Sequence, residues 1–156
     1  MNAALVGLLL AQTSPGVSGD EARAVLVKLD TLARKVLTMP APRGSVVTVK
    51  GAKPLTRVEI ARAYQSLAAT FEPKFKIAPK PVPFEPTRIR ATNSTDRALL
   101  TSLVRGGWVA PFGPLATGRV DSLQPREFGD ATAFFILRLM ELTQTPSSKW
   151  SPMLHL

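Results

Sequence analysis

Apolar residues recur at steps of three and four in four stretches of this chain, and the gaps between them are rich in proline and glycine. In the first stretch, Ala24, Leu26, Val27, Leu29, Leu32, Ala33, Val36 and Leu37 predict an amphipathic helix over 20–37. Asp20 or Ser18 is its cap, and Glu21 lies in its first turn. Met39-Pro40-Ala41-Pro42 ends it, because proline cannot continue a helix. Residues 45–51, SVVTVKG, are β-branched between two glycines and predict a short strand or extended arm.

A second helix is expected from Arg57 to about Thr70. Thr56 and Glu59 have capping-box spacing, and Leu55 and Ile60 are placed as a hydrophobic staple. Ile60, Ala63, Tyr64 and Leu67 form the expected buried stripe, while Arg57, Glu59, Arg62 and Gln65 are expected to face water. Ser94 or Thr95 caps a third helix through Arg105, with Ala98, Leu99, Leu100, Leu103 and Val104 inward and Gly106-Gly107 as its stop. Asp130 is the expected cap of a fourth, ATAFFILRLMEL at 131–142. It is apolar almost all round, so it is expected to be buried or to lie at a subunit interface.

The fold class is therefore mainly α: two helix–loop–helix units, α-hairpin repeats, with short extended arms and a proline-rich linker. Residues 20–71 form the first unit and 94–145 the second. Between them, 72–93 is a basic linker whose 72–90 stretch holds five prolines and five basic residues. Phe75, Ile77 and Phe84 are its candidates for adhesion, and its alternation of basic and apolar residues also suits a ligand-facing arm. Residues 146–156 read as a tail with Trp150 and Met153 as possible docking points. Residues 1–19 carry an apolar run, Ala3–Ala11, that is too short to span a bilayer, which takes roughly 20 residues. The run has the length of a secretory core without a basic n-region, and two readings stand, an export signal or an N-terminal helix. No other segment is transmembrane.

Charge narrows the class of partner. Twenty Lys and Arg face eleven Asp and Glu, a net charge of +9. That balance favours polyanions, whether wall polymer, nucleic acid or lipid headgroups. The absence of cysteine excludes disulfides and thiolate metal sites. Catalytic chemistry finds no support. His155 is the only histidine and sits next to the C-terminus, and no phosphate-binding loop, dinucleotide fingerprint or His-Glu-x-x-His is present. Asp121, Glu127 and Asp130 lack the spacing of a calcium loop. No catalytic residue, metal site or cofactor is expected.

Both halves read helix, loop, helix. Their first helices start at Asp20 and Asp96, and Leu55-Thr56-Arg57 can be laid on Phe128-Gly129-Asp130. The halves share a pattern with a known repeat. LTRVEIARAYQSL matches a T-R-A-E-F-A helix at Thr56, Arg57, Glu59, Ile60 and Ala61. In residues 99–142, Leu103 matches a helix leucine, Gly107 the glycine after it, and Trp108 and Val109 an aliphatic pair. Gly118 and Pro125 match a loop glycine and proline. In these positions, about two thirds of the chain, the sequence resembles S-layer homology repeats. It departs from them where Gly129 and Asp130 stand for Thr-Arg, and in showing two units where three are usual.

The resemblance implies an exported, non-catalytic cell-envelope module that binds anionic wall polysaccharide or peptidoglycan. It implies ligand contacts at Arg57, Thr56, Glu59, Gly107 and Trp108, with Arg57 meeting the ligand's acid group. An arginine at a helix N-terminus suits a carboxylate. The 131–142 helix is the expected contact for further protein subunits. Two alternatives remain. One is a basic DNA-binding protein with a degenerate helix-turn-helix at 55–68, whose second helix Pro73 and Pro79 would interrupt. The other is a structural subunit of a larger complex.

Overall fold

The structure is a computed structural model and describes residues 16–154. Its described part is mainly helical, as the periodicity predicts. Six α-helices appear: α1 (Gly19–Val36), α2 (Arg57–Phe71), α3 (Ser94–Arg105), α4 (Pro114–Thr117), α5 (Pro125–Thr143) and α6 (Ser151–Leu154). No strand forms among the described residues. The 45–51 segment is an extended arm, held where Arg23 Nη1 donates to the Val47 carbonyl at 2.6 Å. Val47 alone in that arm is fully buried. Of the expected export signal or N-terminal helix at 1–19, residues 1–15 lie outside the described residues, and Ser18 and Gly19 belong to the start of α1.

Local chemistry sets the helix starts. Ser18 and Glu21 form a capping box on α1, and Thr56 and Glu59 form one on α2. Each box satisfies backbone N–H groups that the first turn leaves unpaired. The fourth long helix begins earlier than its apolar run suggests. Its cap is Gln124, Pro125 takes the first position, and Glu127 Oε2 accepts from Gln124 N at 2.8 Å. Asp130 thus lies in the second turn and caps nothing. Leu55-Thr56-Arg57-Val58-Glu59-Ile60 and Leu123-Gln124-Pro125-Arg126-Glu127-Phe128 each span a capping box, whereas Phe128-Gly129-Asp130 lies inside α5. Leu55, Leu123, Ile60 and Phe128 are all buried. Val17 lies between the two cap motifs: its carbonyl accepts from Leu55 N at 2.9 Å and its N–H donates to the Leu123 carbonyl at 2.7 Å.

Buried residues from Val17 to Met153 form one hydrophobic core. An aromatic ladder crosses it. Tyr64 stacks on Phe135 at 5.1 Å, Phe135 meets Trp108 at 4.9 Å, and Trp108 meets Phe75 at 5.8 Å between ring centroids. Thus α2, α5, the turn after α3 and the proline-rich arm all contribute to a single stack. At its base Thr132 donates to the Phe128 carbonyl, so the Tyr64 hydroxyl, 2.8 Å from Thr132 Oγ1, is the donor there. Burial pushes the Tyr64 phenol above its ordinary pKa. The unfolded chain loses that proton near pH 10, while the folded chain retains it. The stabilisation is complete below that pH and declines above it. Tyr64→Phe is expected to flatten the alkaline fall in stability, measured by urea unfolding at successive pH values.

The 72–93 segment is tied down at intervals. Three of its N–H groups reach carbonyls of other helices: Lys76 N donates to the Leu142 carbonyl at 2.7 Å, Val82 N to Arg105 at 2.8 Å and Arg90 N to Ala116 at 2.9 Å. Arg105 and Leu142 lie in last turns, whose carbonyls have no partner within their own helix. Phe75 and Phe84 pack on the core, whereas Ile77 stays exposed. The tail also docks. Trp150 is fully buried, Met153 is buried, and Trp150 Nε1 donates to Thr145 Oγ1 at 2.9 Å. Helix α5 is not buried all round: Leu137 on it is 53% exposed. Among the described residues no helix is long and apolar enough to cross a membrane.

Candidate anion-binding cleft

Arg57 opens α2, yet it does not face water as the helical pattern predicts. Only 7% of it is exposed. Nη1 donates to the Leu115 carbonyl and Nη2 to the Arg90 carbonyl, each at 2.8 Å. Nε is buried without a hydrogen-bond partner, and Asp121 Oδ1 stands 3.6 Å away on an exposed side chain. Burial draws the guanidinium pKa below its ordinary value; Asp121 opposes that shift and Arg90 adds to it. Arginine begins so high that it stays charged. Two of its three nitrogens therefore tie the loop at 115 and the arm at 90 to α2.

The other residues implied by the resemblance are also engaged. Thr56 Oγ1 accepts from Glu59 N at 3.1 Å, and Glu59 Oε2 accepts from Thr56 N at 2.8 Å. Trp108 is buried within the aromatic ladder. Gly107 has φ +78°, and a Cβ there would stand 2.7 Å from Arg138 Nε. Glycine fits this left-handed turn and leaves room for the arginine. Thr56, Arg57 and Glu59 thus sit at the start of α2, and Gly107 and Trp108 lie beside Arg138 and Phe135. Their surroundings differ: Glu59 lines a groove with Thr48, Lys50 and Arg62, and Gly107 lines another with Val82, Leu137 and Arg138.

The arm supplies a different opening. Arg88 ends a short 3-10 turn, Pro86–Arg88, and the chain becomes extended at Ile89. Ile89 is buried, while Arg88 and Arg90 turn outward. With Thr87, Ala91, Arg97, Phe112 and Thr117 they line an open cleft of about 750 Å³. Arg88 is already engaged: its Nε pairs with Glu85 at 2.8 Å, and its Cζ lies 5.6 Å from the Phe112 ring centre. Arg97 donates from Nη1 to the Ile89 carbonyl at 2.7 Å, which fixes it at the cleft wall. Among the described residues, the Arg90 side chain has no hydrogen-bond or ion-pair partner. The cleft thus concentrates positive charge with one guanidinium unpaired. Such a site takes a carboxylate or a phosphate through charge-assisted hydrogen bonds.

Sequence reasoning marked the arm's alternation as suited to a ligand but did not single out Arg90, Arg97 or Phe112. The signal was Arg-Ile-Arg itself, one buried residue between two exposed ones. Among the described residues no group of His, Asp and Glu side chains could hold a metal ion. Searches against protein families, curated proteins and solved structures return no match to this chain.

Proposed function

We propose that this chain is an exported, non-catalytic cell-envelope module that holds an anionic wall polysaccharide. The observation that carries the reading is the unpaired Arg90 beside Arg97 in an open cleft of about 750 Å³. Its lining carries three arginines and no carboxylate. The ordered arm supports the reading, because a ligand-binding arm works best when it is preorganised. The acid contact is assigned to Arg90, since the donors of Arg57 already serve backbone carbonyls. The resemblance to S-layer homology repeats supplies the class of ligand.

The test is co-sedimentation with peptidoglycan sacculi, before and after their secondary polymer is stripped, with duplex DNA as a parallel ligand. Wild-type chain is expected to sediment only with intact sacculi and to do so in moderate salt. Arg90→Glu is expected to weaken binding by about tenfold or more, the scale of one charge-assisted contact, with no change in far-ultraviolet circular dichroism. Binding indifferent to the polymer, or to Arg90→Glu, rejects the reading. Salt-labile binding with preference for DNA would favour a nucleic-acid role instead. That role has no helix-turn-helix to rest on, because α2 is followed by a 3-10 turn at Glu72–Lys74 and then by extended arm. It would be nonspecific attraction to phosphates.

A further inference from the structure

Beside the basic cleft lies a second, smaller pocket of different character. It measures about 240 Å³ and is lined by Val109, Gly113, Pro114, Leu115, Ala131 and Phe134, with Glu127 and Asp130 also in its wall. Glu127 is engaged in the α5 cap. Asp130 is exposed, and with Glu72 it is one of two carboxylates that have no hydrogen-bond or ion-pair partner among the described residues. The apolar lining continues past Val109 and Phe134 to the exposed Leu137, since the neighbouring groove shares both.

The complement of this pocket is on the same chain, one residue from its edge. Phe112 is 72% exposed and adjoins Gly113, which lines the pocket. Arg88 lies over the Phe112 ring and pairs through Nε with Glu85 at 2.8 Å, so its terminal nitrogens are the donors left for a partner. An aromatic ring with a guanidinium beside it matches an apolar pocket with an unpaired carboxylate at its wall.

We propose that two copies of this chain pair across a two-fold axis, each Phe112 entering the other's pocket and each Arg88 meeting the other's Asp130. Anchor and pocket adjoin at Phe112 and Gly113, so each copy carries both halves of a self-complementary patch, as an isologous interface requires. A charge of +9 on each copy opposes association over most of the surface. The Asp130 wall is where that repulsion is locally reversed. A central aromatic anchor in a pocket with a charged rim is the usual composition of an interface hot spot. Arg88 and Phe112 also line the Arg90 cleft, so pairing and polymer binding would draw on the same side chains, and pairing is read with no polymer present.

Sedimentation equilibrium of the full chain near physiological salt tests it. A monomer–dimer equilibrium is expected at concentrations up to about 200 μM, the range of modest interfaces. Phe112→Ser is expected to be monomeric with an unchanged melting temperature, because the side chain is exposed in the monomer. Arg88→Glu and Asp130→Lys are each expected to weaken pairing by about tenfold or more, and the double variant to restore it to near the wild-type value. A wild-type chain that stays monomeric, or a charge swap that fails to restore pairing, overturns the proposal. So does open-ended assembly, because a two-fold contact stops at two.

Discussion

Replacing Arg57 by alanine is expected to destabilise the fold by roughly 2–4 kcal/mol, the scale of two charge-assisted hydrogen bonds removed from buried carbonyls. For a chain of this size that is roughly a 4–16 °C fall in melting temperature. The argument rests on where the guanidinium goes. Its two terminal nitrogens reach the Leu115 and Arg90 carbonyls at 2.8 Å, one in α4 and one in the arm. Alanine leaves both carbonyls facing a void, with no side chain to replace the donors. The Asp121 contact adds little, because it is long and its carboxylate is exposed. Lysine is not an adequate substitute, since one ammonium cannot serve two carbonyls in the plane of a fork. Arg57→Lys is therefore expected to recover less than half of the loss. Differential scanning calorimetry of the three proteins decides the matter. If Arg57→Ala melts with the wild type and loses sacculus binding, Arg57 is a ligand residue and its structural role is refuted.

Local rules made much of the fold legible. The capping box at Thr56, the prolines after Leu37 and the 3.6-residue period of α1 to α3 are properties of neighbouring residues, and the structure carries each of them. Of the two caps offered for α1 the structure uses Ser18, and α3 is capped by Asn93 rather than by Ser94 or Thr95. The start of α5 was missed because Pro125-Arg126-Glu127 does not continue the apolar run. Its first turn is specified by Gln124, Pro125 and Glu127, a cap signal with no hydrophobic periodicity behind it. Burial of Arg57 was missed for a different reason. A charged first-turn residue is normally solvated, and only the arrival of two backbone carbonyls from residues 33 and 58 positions away makes burial favourable. No window of sequence around Arg57 contains that information. The arm shows the same limit: five prolines signal extended chain, but its donors find partners at helix ends that are distant in sequence. The candidate cleft depends on the arm's path, so it was legible only as an alternation of basic and apolar residues.

The largest effect is expected at Arg138. This residue is 9% exposed and donates from Nε to the Gly106 carbonyl at 2.8 Å, from Nη2 to Lys80 at 3.1 Å and from Nη1 to Glu141 at 2.8 Å. One side chain on α5 thus fastens both the end of α3 and the middle of the arm. Arg138→Met keeps the apolar stem and removes every donor, and is expected to cost roughly 3–5 kcal/mol through unsatisfied carbonyls and lost packing. The middle of the arm should loosen before the core does, because residues 76–81 are exposed and Val82 is held there by a single backbone hydrogen bond. The amide of Val82, which donates to the Arg105 carbonyl, reports this directly. Its hydrogen exchange is expected to accelerate by more than tenfold in Arg138→Met, ahead of core amides such as that of Leu139. Gly107→Ala should act on the same contact from the other side, since a Cβ would displace the guanidinium at 2.7 Å. The two changes are therefore expected to be less than additive when combined. Full additivity would mean that Gly107 is required only for its positive φ, and that the arginine lies against it without depending on it.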